Sequence, residues 1–407
     1  MSAFQEYFDP SHQLVRDSVR RFVEREMLPG IEQWEEAESF PRELYLKAGA
    51  AGVLGIGYPE ALGGSHEGDL FAKVAASEEL MRCGSGGVVA GLGSLDIGLP
   101  PIVKWARPDV RERIAPLVLA GEKIIALAVT EPSGGSDVAN LQTRAVREGE
   151  HYRVSGAKTF ITSGIRADFY TVAVRTGGPG FGGISLLLIE KGIPGFTVGQ
   201  PLKKMGWWAS DTAELFFDDC RVPVGNLIGV ENMGFACIMG NFQSERLALA
   251  LMANMTAQLA LEESLQWAAQ REAFGKPIGK FQVLKHRLAE MATAVEVSRE
   301  FTYRQAAKMA AGKSVIKEIS MAKNLATDTA DRVTYDAVQI LGGQGYMRGS
   351  LVERLYRDNR ILWELGLPAM TAVLTTLISQ SAQIASGKTS ESPCLPSAAS
   401  HPALANQ

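Results

Sequence analysis

A single carboxylate interrupts an apolar helical face in the second half of the 407-residue chain. Four apolar residues are spaced three or four positions apart around Glu245: Ile238, Phe242, Leu249 and Met252. This spacing places them on one face of a helix. An unpaired carboxylate in apolar surroundings holds its proton more tightly than in water, which suits a general base near neutral pH. The alternative is a helix edge at which Glu245 turns to solvent beside Arg246, because perturbed carboxylates also have structural roles.

A turn rich in small polar residues follows a short apolar run in ALAVTEPSGGSDVANLQT, residues 126–143. The run ends at Thr130 and Glu131, and proline, glycine, serine and aspartate come next. Small residues let a backbone approach a flat ligand closely, so this stretch predicts a binding turn for a small, polar-edged group. A plain surface turn is the alternative.

Other familiar cofactor and metal patterns are missing from the sequence. GLGSLDIG and GGQGYMRG lack the spacing or the strand–helix context of a nicotinamide site, and the GxxxxGK[ST] pattern is absent. The four cysteines are isolated: Cys83, Cys220, Cys237 and Cys394. Since neither CxxC nor HExxH spacing occurs, we predict that the protein binds no metal.

Charge and hydropathy restrict the partners and the compartment. The net charge of −4 gives no basic field for nucleic acid or anionic membranes. Polar residues interrupt the most apolar helical stretch, and the N-terminal residues resemble no signal or transit peptide, so no membrane association is predicted. Isolated cysteines are typical of a reducing compartment, and we predict a cytoplasmic location.

Hydrophobic periodicity divides the chain into three zones and a tail. Helical spacing dominates residues 1–121, and short β-rich segments bounded by Gly, Pro and Asp cover residues 122–232. Longer helical patterns over residues 233–385 predict an antiparallel bundle. Residues 386–407 are rich in Ser, Pro and Ala and are predicted to be disordered. The predicted fold class is therefore α+β, with the β zone between two helical domains.

Several long motifs, in order along the chain, are similar to those of the acyl-CoA dehydrogenase family, whose members use a flavin to desaturate acyl thioesters. The resemblance lies in LAVTEPSGGSD, VSGAKTFITSG, KKMGWWASDTAELFFDDCRVPVGNLIG, QREAFGKPIGKFQVLKHRLAEM and QILGGQGYMRGSLVERLYRDNRI. It covers about residues 5–361. It implies an N-terminal α-helical domain, a middle β-barrel and a C-terminal four-helix bundle, with FAD as cofactor and an acyl-CoA as substrate.

The resemblance places FAD along the turn at residues 126–143 and along the strand pair that follows. Four residues are expected beside the flavin edge or its phosphates: Leu127, Val129, Thr130 and Ser136, the last of which could also reach the CoA arm. Phe160, Ile161 and Thr162 are expected on the flavin face away from the substrate, with Thr162 near N5. Many relatives have tryptophan where this chain has Phe160, and either ring can stack on a flavin.

A second set of residues is expected to reach the cofactor of a neighbouring subunit. Arg271, Phe274 and Gln282 match residues that hold the FAD pyrophosphate and adenosine, and the planar fork of an arginine suits a pyrophosphate. A loop is expected to pack on the adenosine: Gln339, Ile340, Leu341, Gly342 and Gly343. Because the cofactor is shared, the resemblance implies a homotetramer built as a dimer of dimers.

The family carries its catalytic base at one of two positions. In many members the base follows an RD.[KR]I motif, and the matching position here is Gly366. In other members, including the isovaleryl and long-chain types, it belongs to an ER pair on the first bundle helix, here Glu245-Arg246. The apolar face and the resemblance both select Glu245, with Glu364 as the alternative carboxylate. The thioester and pantetheine are expected to be lined by Gln243, Ser244 and Arg246.

The predicted function is α,β-desaturation of an acyl-CoA, with electrons passed to an electron-transferring flavoprotein. A base on the first bundle helix, with Gly366 in place of a larger side chain, favours a branched or long acyl chain. Two alternatives remain. The same oxidation could act on an acyl group tethered to a carrier protein. The second alternative is a catalytically impaired binding or scaffold protein, because the segment after Ile361 departs from the family pattern and includes Pro368.

Overall fold

The computed structural model describes residues 4–364. Gly366, Pro368, Cys394 and the tail over residues 386–407 lie outside the described residues, so the predictions on them remain predictions. The order of helical, β and helical parts predicted from periodicity is confirmed.

Eight helices precede the first strand. They are α1 (Pro10–Phe22), α2 (Ile31–Glu36), α3 (Glu43–Ala50), α4 (Leu70–Met81), α5 (Gly86–Leu92), α6 (Leu95–Gly98), α7 (Pro100–Trp105) and α8 (Pro108–Leu119). The start of α1 shows why the sequence folds this way. Asp9 Oδ1 accepts a hydrogen bond from the backbone nitrogen of Ser11 at 2.7 Å, and Pro10 occupies the first helical position. An acidic cap followed by proline satisfies the free amides of the first turn.

The middle part is an eight-stranded mixed sheet. Its strands are β1 (Ile125–Ala128), β2 (Arg144–Glu148), β3 (His151–Thr162), β4 (Phe169–Arg175), β5 (Ile184–Glu190), β6 (Phe196–Val198), β7 (Thr212–Pro223) and β8 (Leu227–Ile228). The strand order is β6-β7-β3-β2-β4-β5-β8, and β1 pairs with β4 in parallel. Strands β3 and β7 pair antiparallel, with register shifts between Val154 and Gly156 and between Lys158 and Ile161. Such irregularities bend a strand and redirect its side chains.

Long helices form the C-terminal part. They are α9 (Gly234–Gln270), α10 (Gln282–Ala310), α11 (Ile316–Leu341) and α13 (Leu351–Glu364), with a short α12 (Gly343–Tyr346) and a hairpin of β9 (Glu272–Ala273) and β10 (Lys276–Pro277). Helix α9 is one continuous element of 37 residues. The four long helices share a buried apolar core, which includes Ala257, Met291, Ala330 and Leu355. The predicted four-helix bundle is therefore present.

The first turns of α9 pack against both other parts of the molecule. A Cβ added to Gly234 would lie 2.6 Å from the backbone carbon of Ser185 on β5, so only glycine permits this approach. Asn241 Nδ2 donates a hydrogen bond to the carbonyl of Ile97 on α6 at 2.9 Å. Ile238 belongs to the core that joins the N-terminal helices to the sheet. The turn that carries Glu245 therefore begins at a three-way junction.

Within the described part of the chain, no individual helix combines the length and apolarity needed to cross a membrane. One bent helix pair, Gly86–Leu92 with Leu95–Trp105, meets these two criteria jointly.

Candidate active site

Glu245 lies on the predicted apolar face of α9. Ile238 and Leu249 on that face are buried, and Phe242 and Met252 are partly buried. The Oε2 atom of Glu245 is buried and has no hydrogen-bond partner. Burial raises the pKa of Glu245 to about 7, and the charge of Arg246 opposes this shift. Glu245 is partly buried as a residue, with its Oε2 atom shielded from solvent, and its raised pKa suits proton transfer near neutral pH.

The neighbours of Glu245 differ in what they offer. Gln243 Oε1 is also buried without a hydrogen-bond partner, whereas Ser244 is exposed. Arg246 is buried, and burial lowers its pKa while the charge of Glu245 opposes the change. Two unpartnered buried oxygens within one turn of a helix are unusual, because burying a polar atom without a partner costs about 1–3 kcal/mol. A ligand with hydrogen-bond donors would satisfy them.

A buried lysine on α11, Lys323, interacts electrostatically with Arg246. Lys323 Nζ on α11 donates a hydrogen bond to the carbonyl of Trp363 near the described end of α13, at 3.0 Å. Burial lowers the pKa of Lys323 to about 8; Asp328 opposes the shift and the charge of Arg246 adds to it. The alternative base, Glu364, instead pairs at the surface with Arg360 at 2.8 Å. Of the two candidate carboxylates, only Glu245 has a buried, unpartnered oxygen.

The polar turn after β1 is compact and open to solvent. The backbone groups of Glu131 and Gly134 exchange hydrogen bonds of 3.2 and 3.0 Å. A Cβ added to Gly134 would meet no atom within 4 Å, so the space beside the turn is free. Val129 is buried, Leu127 and Thr130 are partly buried, and Ser136 is exposed. The turn therefore presents Thr130 and Ser136 toward accessible space.

The end of β3 carries a strained aromatic residue. Phe160 has φ of +59° and its side chain is 68% exposed, whereas the next residue, Ile161, is buried and Thr162 is partly buried. A bulky residue in the left-handed region is uncommon and tends to mark a functional site. The strand is tied to the polar turn, because the backbone nitrogen of Thr159 donates to the carbonyl of Thr130 at 2.9 Å. The structure thus places Thr130 beside Thr159, the residue that precedes Phe160.

Helix α6 connects this pair of segments to α9. A Cβ added to Gly98 on α6 would lie 3.1 Å from the backbone of Ala126 on β1. The preceding residue, Ile97, accepts the hydrogen bond from Asn241, one turn before Glu245. An exposed aromatic ring and a polar turn with open space are suited to a flat ring with polar edges, and the two unsatisfied buried oxygens to a neighbouring ligand that carries hydrogen-bond donors. These residues therefore fit a flavin.

The residues predicted to reach a second subunit lie on the surface of this chain. Six are exposed: Arg271, Phe274, Gln282, Gln339, Gly342 and Gly343. Ile340 and Leu341 are buried within the bundle. Phe274 is 96% exposed and has φ of +53°. Arg271 follows 26 residues after Glu245, which along a helix is a distance of about 39 Å. A single chain does not bring Arg271 to Glu245.

Sequence reasoning missed a buried ion pair between the polar turn after β1 and strand β3. Lys158 Nζ on β3 lies 2.8 Å from Glu131 Oε1 and 3.0 Å from the carbonyl oxygen of Val129. Both residues belong to motifs quoted above, LAVTEPSGGSD and VSGAKTFITSG. The sequence does show a charged residue within each of these apolar segments. Nothing in either segment, however, indicates that these two residues pair with each other.

No metal-binding cluster of His, Cys, Asp or Glu occurs within residues 4–364. The three cysteines in this range, Cys83, Cys220 and Cys237, are free and buried.

Comparisons with known proteins agree with this architecture. Sequence models of the acyl-CoA dehydrogenase N-terminal, middle and C-terminal domains match residues 9–122, 126–220 and 232–366. An acyl-CoA dehydrogenase of Bacillus subtilis is 38% identical over 86% of this chain and 92% of its own. The mitochondrial long-chain specific acyl-CoA dehydrogenase of Rattus norvegicus is 38% identical over 87% of this chain and 83% of its own.

Solved structures share the fold. The crystal structure of a probable acyl-CoA dehydrogenase from Mycobacterium abscessus is 48% identical, with a TM-score of 0.89 over 91% of this chain and 100% of that one. A glutaryl-CoA dehydrogenase from Mycobacterium smegmatis, solved in complex with FADH2, is 25% identical, with a TM-score of 0.85 over 93% and 97%. The agreement spans all three parts of the chain, which therefore belongs to the acyl-CoA dehydrogenase family of FAD-dependent oxidoreductases.

Proposed function

We propose that this chain oxidises an acyl-CoA to its α,β-unsaturated thioester, with Glu245 as the base that removes the α-proton. The observation that carries the proposal is the buried, unpartnered Oε2 atom of Glu245 on an apolar helix face. A pKa near 7 leaves a substantial fraction of the carboxylate ionised at neutral pH and ready to accept a proton. Arg246 opposes the effect of burial and keeps the ionised form accessible.

FAD would be held between the polar turn and the end of β3. Leu127, Val129, Thr130 and Ser136 are proposed to line its edge and phosphates, and Phe160, Ile161 and Thr162 one face of its ring. FAD supplies, when bound, the acceptor for the hydride that leaves the β-carbon. The chain's own residues have three tasks: Thr130 and Thr162 orient the ring, Phe160 covers it from water, and Glu245 holds the proton.

The substrate would lie beside the two unsatisfied oxygens on α9, where the N–H groups of the pantetheine amides could donate to Gln243 Oε1. Gln243 and Arg246 are proposed to contact the thioester or pantetheine, and the exposed Ser244 and Ser136 the CoA arm. Two observations support this placement: the buried Gln243 Oε1 lacks a partner, and buried polar groups generally have one. Hydrogen bonds to the thioester oxygen would stabilise the charge that develops as the α-proton leaves.

The proposed substrate is a branched or long-chain acyl-CoA. The base belongs to the first bundle helix, as in the long-chain and isovaleryl members that the sequence resembles. The similarity to a long-chain specific enzyme of rat points the same way. An electron-transferring flavoprotein is the proposed acceptor. The proposed assembly is a homotetramer in which Arg271, Phe274, Gln282 and the segment from Gln339 to Gly343 complete the neighbour's cofactor site. All of these residues except the buried Ile340 and Leu341 are exposed in a single chain, which supports the proposal.

An anaerobic titration tests this function. The FAD-loaded protein is mixed with saturated acyl-CoAs of increasing length and branching, and loss of the flavin absorbance is followed. We expect bleaching with at least one long or branched thioester. In Glu245→Gln the rate should fall by about 10²–10⁴-fold. Glu364→Gln, which removes the alternative carboxylate, should bleach at the wild-type rate. Equal bleaching by wild type and Glu245→Gln would reject Glu245 as the base.

A further inference from the structure

The Lys158 side chain is sealed inside the molecule between two chain segments. It is 0% exposed, and its Nζ atom donates to the carbonyl oxygen of Val129 at 3.0 Å and to Glu131 Oε1 at 2.8 Å. These two acceptors belong to the residues immediately before and after Thr130. One ammonium group therefore forms hydrogen bonds to the residues on both sides of Thr130, the residue proposed to contact the flavin.

The carboxylate of Glu131 is satisfied from the opposite direction. Its Oε1 accepts a hydrogen bond from the backbone nitrogen of Thr143 at 2.8 Å, and its Oε2 accepts one from the backbone nitrogen of Gln142. Thr143 Oγ1 in turn donates to the carbonyl of Ala157, next to Lys158, at 3.2 Å. The ion pair thus closes a ring of contacts that joins the turn, β2 and β3.

Electrostatics show that the two groups depend on each other. Burial lowers the pKa of Lys158 to about 8, and Glu131 opposes this change. Burial raises the pKa of Glu131, but the charge of Lys158 and the hydrogen bonds outweigh it, so the net shift is downward. Removal of either partner would leave a buried charge uncompensated.

Stability alone is a weak reason for such a pair. Apolar residues of similar size often stabilise a core as well as or better than a buried ion pair. What an ion pair adds is direction, because each hydrogen bond fixes one atom relative to another. Here the fixed atoms are the carbonyl of Val129 and the backbone around Thr130. Lys158 itself lies two residues before the strained Phe160 on β3.

We propose that Lys158 and Glu131 are positioning residues that hold the Val129–Thr130 backbone in the geometry required to bind the flavin ring edge. This inference rests on the proposed placement of Thr130 beside the flavin. Neither side chain contacts the ring in this scheme; both act through the backbone that does.

Three variants and a matched control test the pair. Lys158→Met removes the ammonium group. Lys158→Met with Glu131→Gln removes both charges and keeps one acceptor oxygen, which can serve one of the two amides of Gln142 and Thr143. Thr130→Val tests the placement of the flavin itself. Tyr152→Phe is the control. Tyr152 lies on β3 six residues before Lys158, is equally buried, and donates a hydrogen bond from its hydroxyl to Glu231 at 2.8 Å.

Each variant is assayed for FAD affinity, the flavin absorbance spectrum, the flavin reduction potential and the melting temperature of the apoprotein. We expect Lys158→Met to weaken FAD binding at least about tenfold and to shift the flavin bands. The double variant should recover most of the melting temperature but not the affinity. Tyr152→Phe should lower the melting temperature and leave the FAD affinity, the flavin spectrum and the reduction potential unchanged.

The outcomes separate the two proposals. If Thr130→Val binds FAD more weakly but Lys158→Met keeps the wild-type spectrum, potential and affinity, the role of the pair is overturned and the flavin placement stands. Unchanged flavin binding in Thr130→Val would overturn the placement and the role of the pair together. FAD affinity that follows melting temperature across all variants, Tyr152→Phe included, would reduce the pair to a structural role and overturn the proposal.

Discussion

Asp358 of α13 accepts a hydrogen bond from the backbone nitrogen of Trp207, in the loop before β7, at 2.7 Å. Its other carboxylate oxygen accepts one from the backbone nitrogen of Gly86 at 3.1 Å. Glu35 lies nearby and pairs with Arg357 at 2.8 Å. One buried carboxylate therefore joins the N-terminal helices, the β part and the bundle.

This junction predicts a pH-dependent stability. Burial, together with the charge of Glu35, raises the pKa of Asp358 to about 7 from its ordinary 3.8. The folded state then binds the proton more tightly than the unfolded chain, so the stabilisation is greatest at low pH and is lost as pH rises from about 4 to 7. Asp358→Asn cannot titrate and should reduce the loss of unfolding free energy across this range by on the order of 1 kcal/mol or more, which a smaller fall in melting temperature would report. The exposed Asp109→Asn serves as control. A steeper fall in Asp358→Asn than in wild type would contradict the prediction.

The pH–rate profile should report Glu245. Because the base must be ionised, the rate of flavin bleaching by an acyl-CoA should rise with pH and level off above about 7. Arg246→Gln removes the charge that opposes the effect of burial, so the midpoint should move to higher pH by on the order of one unit. Stopped-flow absorbance between pH 5 and pH 9 measures both profiles. A midpoint that moves to lower pH in Arg246→Gln would show that Arg246 does not stabilise the carboxylate.

Gln243 should show a trade-off between stability and binding. Its buried Oε1 has no partner in the free protein, so Gln243→Leu removes an unsatisfied group whose burial costs about 1–3 kcal/mol. The apoprotein should melt at a higher temperature, while affinity for a non-oxidisable acyl-CoA analogue falls about fivefold or more. Gln258→Leu makes the same change 15 residues further along α9, where Gln258 bonds Glu262 at 2.8 Å, and should leave the affinity unchanged. Tighter ligand binding by Gln243→Leu would place Gln243 outside the substrate site.

Phe160 should strengthen FAD binding but lower the stability of the apoprotein. Its left-handed backbone costs about 1–3 kcal/mol in a bulky residue, and its ring is largely exposed. Phe160→Gly should therefore stabilise the apoprotein by about 1 kcal/mol and weaken FAD binding. Glu38→Gly relieves a similar backbone at φ of +51° and should leave FAD affinity unchanged. Calorimetry of the apoprotein and flavin titration give the two quantities. A destabilised Phe160→Gly apoprotein with normal FAD affinity would contradict both expectations.

Periodicity was sufficient for the architecture because each element buries one face. The apolar positions around Glu245 repeat at helical spacing, and in α9 they lie on one face, although they pack into two different cores. The same pattern also located the buried carboxylate. The junction made by Asp358 was beyond reach, since its partners Trp207 and Gly86 are 151 and 272 residues away in sequence.

Local backbone geometry was equally inaccessible. The positive φ of Phe160 follows from the register shift between β3 and β7, which is a property of two strands and of no single one. Lys158 and Glu131 form their pair only when the turn after β1 folds onto β3, and sequence spacing alone does not signal this. The fold and the burial of a Glu245 oxygen on an apolar helix face were predictable from patterns within one segment, whereas contacts between segments required coordinates.

The unbroken length of α9 links catalysis to assembly. Its early turns hold the proposed base and its end leads into Arg271, about 39 Å away, farther than an extended dinucleotide can span. Each copy would then lend its arginine to a neighbour's centre while keeping its glutamate for its own. Two inactive variants, Glu245→Gln and Arg271→Ala, should thus complement each other when co-assembled. In every mixed pair, one centre would combine an intact glutamate with an intact arginine from the neighbour.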